Sequence, residues 1–239
     1  MSQVQKIKSE LASLASPEKA RVLQGFFKTG KGEYGEGDVF IGVTVPQTRA
    51  VAEKYRDVSL LEVQSLLKSR VHEERLAAIL ILVEKYKSSD VRGRERIVEF
   101  YMRNAGGVNN WDLVDLSAPK ILGEWIAENG GDSSILYTLA KSGVLWERRI
   151  AVVSTFAFIR RGIFGDTLKL SEQMMGDGHD LIHKACGWML REVGKRDEKV
   201  LEGFLERNAA RMPRTMLRYA VERLPEARRK RYMAAVGKP

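Results

Sequence analysis

Cysteine occurs once in the 239 residues, at Cys186, which excludes a disulfide within the chain and a zinc site built on paired cysteines, and fits a reducing compartment. Histidine occurs three times, at His72, His179 and His183, with no clustered carboxylate motif beside it. Metal-dependent nuclease chemistry is therefore a distant reading, and no metal or cofactor is expected. Alternating apolar and polar runs of the strand type are nearly missing, and only six prolines interrupt the chain. No apolar run approaches the roughly 18 residues of a membrane helix. Residues 1–15 lack the apolar core of a signal peptide. These absences point to a soluble, cytoplasmic, helical protein with no membrane partner.

What the chain has in excess is positive charge. The net charge is +9, with a pI near 9.6, and a basic surface concentrates polyanions around it. The excess gathers toward the end: from Arg191 onward there are 14 Lys and Arg against 7 Asp and Glu. Nucleic acid is the commonest polyanionic partner, although acidic proteins and anionic lipid answer to the same field.

Apolar spacing reads as helices over 3–14 and 17–28, from after Val45-Pro46 to about Lys54, from Ser59-Leu60 onward, and over 72–87, 91–104, 110–128, 133–141, 145–161, 166–175, 179–195, 198–210, 213–223 and 225–235. Ser16-Pro17 supplies an N-cap followed by proline at the first helical position, and Ser59-Leu60-Leu61-Glu62 is a capping-box pattern. Pro119 should kink or break the 110–128 helix near Ala118. Residues 29–38 carry four glycines but lack the Gly-Lys-Ser/Thr ending of a phosphate loop, and no strand precedes them. They read as an ordered loop.

A loose repeat runs through the longer helices. Arg75-Leu76-Ala77, Asp115-Leu116-Ser117, Arg149-Ile150-Ala151, His183-Lys184-Ala185 and Arg218-Tyr219-Ala220 recur every 34 to 40 residues. That period belongs to helical hairpins, which bury their apolar faces only by stacking. The expected fold is all-α, a right-handed α-solenoid of HEAT/ARM-like hairpin repeats with a basic concave face, in one domain spanning 1–239. If the small residue packs on the neighbouring repeat, the residues before it project alike, and Asp115 is the acidic member of a row of potential phosphate binders.

Trp111 and Asp115 stand four apart, so a helix would present an aromatic plane and an anion on one face, a pairing suited to a cationic ligand. Spacing alone leaves open a core tryptophan beside a solvated or salt-bridged aspartate. Lys184, Trp188, Arg191 and Lys195 fall on one helical stripe, and a tryptophan flanked by bases fits nucleic-acid contact. The alternative is a tryptophan folded into a groove between repeats with the cations at its rim.

Taken together, Asn110-Trp111-Asp112-Leu113-Val114-Asp115, Leu145-Trp146-Glu147-Arg148-Arg149 and Lys184-Ala185-Cys186-Gly187-Trp188-Met189-Leu190-Arg191 resemble the AlkD-like alkylpurine DNA glycosylases. Gly32-Glu33-Tyr34-Gly35-Glu36-Gly37-Asp38 with Phe40-Ile41-Gly42-Val43 adds to the likeness, which covers nearly the whole chain. The resemblance implies a HEAT-like solenoid that grips duplex DNA and excises N3- and N7-alkylated purines. Asp115 takes the family's catalytic aspartate and Trp111 and Trp188 its paired tryptophans. Arg149 takes its DNA-contacting arginine and Arg191 a further basic position, and Arg148, Lys184 and Arg218 are expected beside them as DNA contacts. An N-terminal aromatic near the DNA falls on Phe26 or Phe27, which have no hydroxyl. The implied enzyme is a monofunctional, monomeric, cofactor-free hydrolase that needs no base-flipping pocket. A non-catalytic helical-repeat module binding nucleic acid or an acidic protein is the competing reading.

Overall fold

The computed structural model describes residues 1–130 and 132–234, and among these residues the chain is all-α apart from short 3₁₀ turns and one isolated parallel bridge, Val39 to Val71. The chain divides into two compact units, Met1–Ser117 and Ala118–Pro239. The break falls where Pro119 follows Ala118. In place of one helix over 110–128 there are two, Trp111–Ser117 and Leu122–Glu128, since proline cannot donate to the helical ladder.

In the first unit the helices are α1 (Gln3–Ser13), α2 (Pro17–Phe26), α3 (Val45–Lys54), α4 (Leu60–Leu67), α5 (His72–Ser88), α6 (Val91–Arg103) and α7 (Trp111–Ser117). Both expected caps are present: Ser16 Oγ accepts from the amide of Lys19, and Ser59 and Glu62 form a capping box. Helix α5 is the core element, with α1, α3, α4, α6 and α7 packed against it. Its middle, Leu76 to Val83, is apolar and buried all round, as a helix surrounded by others must be. Its first turn is buried as well, although it reads His72-Glu73-Glu74-Arg75. Four ionisable side chains in a core need partners.

Those partners come in part from the glycine-rich loop. Glu73 accepts the backbone amides of Ile41, Gly42 and Val43, at 3.1, 2.8 and 3.3 Å. Gly42 has φ +83°, and a Cβ there would lie 2.1 Å from the carbonyl oxygen of Ser16, so only glycine fits. The loop is thus an ordered structural element that delivers Asp38 and Phe40 to the start of α5.

In the second unit the helices are α8 (Leu122–Glu128), α9 (Ser134–Leu139), α10 (Leu145–Ser154), α11 (Phe156–Arg160), α12 (Gly165–Gln173), α13 (Asp180–Arg196), α14 (Glu198–Asn208), α15 (Arg214–Ala220) and α16 (Glu226–Met233). The last residue of the expected 225–235 helix lies outside the described residues. Helix α13 is central, touching α10, α11, α12, α14 and α15. Gly187 lets α15 come close: a Cβ on it would meet the Met216 carbonyl oxygen and the Tyr219 Cβ, each at 2.5 Å.

The small residue of every repeat triplet, Ala77, Ser117, Ala151, Ala185 and Ala220, is buried. The residue two positions before it does not share one surface: Arg75 and Arg149 are buried, Asp115 and His183 half-buried, and Arg218 exposed. A second register explains this. Ser69-Arg70-Val71-His72-Glu73-Glu74-Arg75 and Ser142-Gly143-Val144-Leu145-Trp146-Glu147-Arg148 adopt the same local structure. The serine Oγ accepts the amide two residues on, at 3.1 and 3.0 Å, and the arginine Nη1 donates to that serine's carbonyl, at 2.8 and 3.0 Å. By this register Arg148, rather than Arg149, corresponds to Arg75.

Candidate functional site

Helix α7 opens with Trp111. Its amide donates to Oδ1 of the buried Asn110 at 2.8 Å. The Trp111 ring is half-buried and stacks on Phe27, with centroids 5.0 Å apart and planes 7° from parallel, while the exposed Phe26 meets it edge-on at 5.9 Å. Phe26 and Phe27, onto which the resemblance carries an aromatic near the DNA, brace the tryptophan itself. One turn on, Asp115 is half-buried, and its charge helps push up the pKa of the fully buried Tyr101, behind burial itself and against the hydrogen bond to Ser117. The i to i+4 placement on one short helix is therefore present.

The other aspartate of α7 is differently employed. Asp112 Oδ2 lies 2.8 Å from His72 Nε2, and His72 Nδ1 lies 3.4 Å from Asp38 Oδ2. Asp38 also receives Arg75 Nη2 at 2.7 Å and Asn110 Nδ2 at 3.1 Å. Burial alone would lower the His72 pKa, but the hydrogen bonds to Asp112 and Asp38 outweigh it and hold it above its usual value. Burial works the opposite way on Asp38, where the bonds from His72 and Asn110 and the charge of Arg75 win and lower its pKa. The result is an imidazole ring held between two carboxylates, which favour its protonated form, with Arg75 Nη2 also 3.4 Å from Nδ1. Each ring nitrogen faces its own carboxylate, and among the described residues no group of three or more His, Cys, Asp or Glu side chains is placed to hold a metal ion.

In the second unit, Trp188 is half-buried on α13, near the Phe156 ring at 5.9 Å, and its Nε1 donates to Glu192 at 3.2 Å. Glu192 is also approached by Lys195 at 2.7 Å and Arg191 at 3.6 Å, and Arg191 further pairs with Glu222. Lys184 pairs with Asp180 at 3.1 Å across one turn. Arg148 donates to both carboxylate oxygens of Asp177 through the Nε and Nη2 edge of its guanidinium, at 2.6 and 3.3 Å. Arg149 is buried and donates to the carbonyl of Leu181 at 2.6 Å. Arg218 is exposed and lies over the Tyr219 ring, 5.7 Å from its centroid. The cationic stripe of α13 therefore carries its own counter-charge in Glu192. Burial pushes the Cys186 thiol up to about 12, so it is a core residue rather than a nucleophile.

Sequence reading found Trp111 and Asp115 but missed His72, Asp38, Asn110 and Asp112 as a unit. A signal existed: four ionisable residues open a helix whose next stretch, Leu76 to Val83, is apolar throughout, and such a turn is buried only if other segments supply its partners.

A family model described as DNA alkylation repair enzyme matches residues 7–224. Among solved structures, a predicted DNA alkylation repair enzyme from Enterococcus faecalis superposes with a TM-score of 0.70 at 17% identity, covering 89% of this chain and 97% of that one. AlkD2 from Streptococcus mutans does so with a TM-score of 0.54 at 17% identity, covering 92% and 96%. No curated protein sequence matches the chain. These likenesses show a shared all-α fold, and the match over nearly the full length fixes the kinship: this chain belongs to the DNA alkylation repair enzyme family.

Proposed function

We propose that this protein is a monofunctional DNA glycosylase that hydrolyses the N-glycosidic bond of N3- and N7-alkylated purines in duplex DNA. It leaves an abasic site for base-excision repair, and works in the cytoplasm as a single-domain, cofactor-free monomer. The observation that carries this reading is the braced tryptophan of α7: Trp111 stacks on Phe27, and Asp115 follows it one turn on, half-buried on the same helix.

The chemistry asks for little more. Alkylation at N3 or N7 makes the base cationic, so the bond from C1′ breaks with its electron pair passing to the base, which leaves neutral and unprotonated. Positive charge grows on the sugar, and a carboxylate beside C1′ stabilises it. Water then adds to C1′ and loses its proton, and Asp115 orients that water. On the first unit Trp111 offers a face to a cationic nucleotide or its sugar, and on the second Trp188 offers a face to DNA, each contact worth about 0.5–2 kcal/mol. Lys184, Arg191 and Arg218 supply positive charge toward DNA phosphates. Arg148 and Arg149, which hold Asp177 and the Leu181 carbonyl, support the segment that leads into and opens the Lys184- and Trp188-bearing helix.

The test is release of 7-methylguanine or 3-methyladenine from methylated duplex DNA. Wild type should release base well above the spontaneous rate and Asp115→Asn should not, since asparagine keeps the shape and removes the charge. Release of neither base by wild type would leave a non-catalytic helical-repeat module as the reading.

A further inference from the structure

We propose that His72 is a positioning residue that fixes the Trp111 indole through two routes meeting at α7, one aromatic and one ionic. The aromatic route is a continuous stack. Trp111 lies on Phe27 (5.0 Å, 7°), Phe27 on Phe40 (4.7 Å, 29°) and Phe40 on the His72 ring (4.4 Å, 21°). The ionic route returns from His72 Nε2 to Asp112, the residue next to Trp111. Its far side is anchored by Asp38, which bonds Asn110, whose Oδ1 in turn holds the Trp111 amide. Indole plane and indole backbone are therefore fixed from a single histidine.

The charge state of that ring decides how well the routes hold. As an imidazolium, His72 donates to both carboxylates and presents a cation to the Phe40 face. As a neutral imidazole it can donate through only one nitrogen. If Nδ1 deprotonates, Asp38 keeps Arg75 and Asn110, and Arg75 Nη2, 3.4 Å away, can donate to Nδ1. If Nε2 deprotonates, Asp112 loses its bond. Asp112 has no replacement, because its Oδ1 is buried and accepts no hydrogen bond. A carboxylate left so is driven to move toward water, and Trp111 is the next residue in the chain. The charged groups that reach His72 are Asp112 from α7, Asp38 from the glycine-rich loop and Arg75 from its own helix. Glu18 and Lys19 of α2 and Glu73 line the same cavity of about 460 Å³, where Glu73 is already satisfied by the amides of residues 41–43.

The importance of this for base excision rests on the glycosylase reading; the coupling of His72 to Trp111 does not, and the experiment separates them. The full chain is labelled with 5-fluorotryptophan, its four tryptophan signals are assigned by single Trp→Phe changes, and the histidine Cε1–H signals are followed over the same pH range. The Trp111 signal should shift with the midpoint of the His72 titration, and in His72→Gln it should be flat. A Trp111 signal that ignores the His72 titration in the folded wild type overturns the proposal. Should His72→Gln fail to fold, Phe40→Leu cuts the stack while sparing both ion pairs. A shifted Trp111 signal with a weakened pH response then supports the proposal, and an unchanged one overturns it. With wild type active, His72→Gln should slow base release at saturating DNA by about tenfold while DNA affinity stays within about twofold. Unaltered release from the folded variant also overturns it, whereas an inactive wild type removes only the glycosylase reading.

Discussion

His72 Nε2 lies 2.8 Å from Asp112 Oδ2, which ties the first turn of α5 to the first turn of α7 inside the core of the first unit. Both partners come from helix starts that, by sequence, look like ordinary solvated ends. Burial turns them into a fixed joint, and the joint has a pH range.

Because the folded-state pKa of His72 is raised, its contribution to stability is fully present below its ordinary value near 6.5 and is lost as pH rises through the raised value. Chemical denaturation at a series of pH values should therefore show stability declining on the alkaline side of 6.5, and His72→Gln should remove that slope. Stability that rises over this interval in the wild type would contradict the assignment of a charged His72.

Asp38 has the opposite sign. Its pKa is lowered, so its contribution is present above its ordinary value and lost as pH falls through the depressed one. At neutral pH, Asp38→Asn leaves the buried Arg75 and His72 facing a neutral amide, and breaking a buried pair from one side costs about 3–5 kcal/mol. The urea midpoint should fall accordingly; a loss below about 1 kcal/mol would mean that solvent reaches the cluster.

Much of the architecture was readable in the sequence because it follows from local rules. Helix starts at Pro17 and Leu60 obeyed their capping residues, and Pro119 broke the chain where proline must. The small residues of the triplets are all buried, as packing between helices requires. The register within the repeat was not legible, since Arg148 and Arg149 are adjacent and only contact geometry shows which one grips a serine carbonyl and an aspartate. The His72 cluster was hidden for another reason: Asp38, His72 and Asp112 lie 34 and 40 residues apart and meet only through tertiary packing. Trp111 and Asp115, four apart on one helix, needed no such knowledge.

Arg148 and Lys184 should separate when DNA binding is measured against salt. Each phosphate contact contributes about 0.9 to the log–log slope. Lys184→Gln and Arg218→Gln should each reduce the slope by about that amount with little change in stability. Arg148→Gln should leave the slope unchanged and lower the melting temperature, because its guanidinium is spent on Asp177 and the Ser142 carbonyl. A reduced slope for Arg148→Gln would reassign that residue to the DNA surface.

Gly187→Ala tests the seating of Trp188. The added methyl would meet α15 at 2.5 Å from both the Met216 carbonyl and the Tyr219 Cβ, so the helices must part. Overpacking of this kind costs about 1–3 kcal/mol. The variant should unfold at lower urea than wild type, and its Trp188 fluorescence should change; an unchanged midpoint would show that α15 yields freely.

Asp112 and Asp115 stand on the same helix, three residues apart, and a charge-removing change at each should have opposite consequences. Asp112→Asn strips the counter-charge from a buried imidazolium, so the folded protein should lose about 3–5 kcal/mol, and the His72 pKa should fall. For Asp115→Asn the larger effect should be on catalysis, with base release at saturating DNA dropping by about 100-fold, the scale of losing an electrostatic stabiliser of the transition state. Measuring denaturation and single-turnover release on both variants resolves two roles that the sequence motif alone runs together. If Asp115→Asn is the unstable variant and Asp112→Asn the slow one, the two aspartates exchange assignments, and the carboxylate that meets the sugar is the one bound to His72.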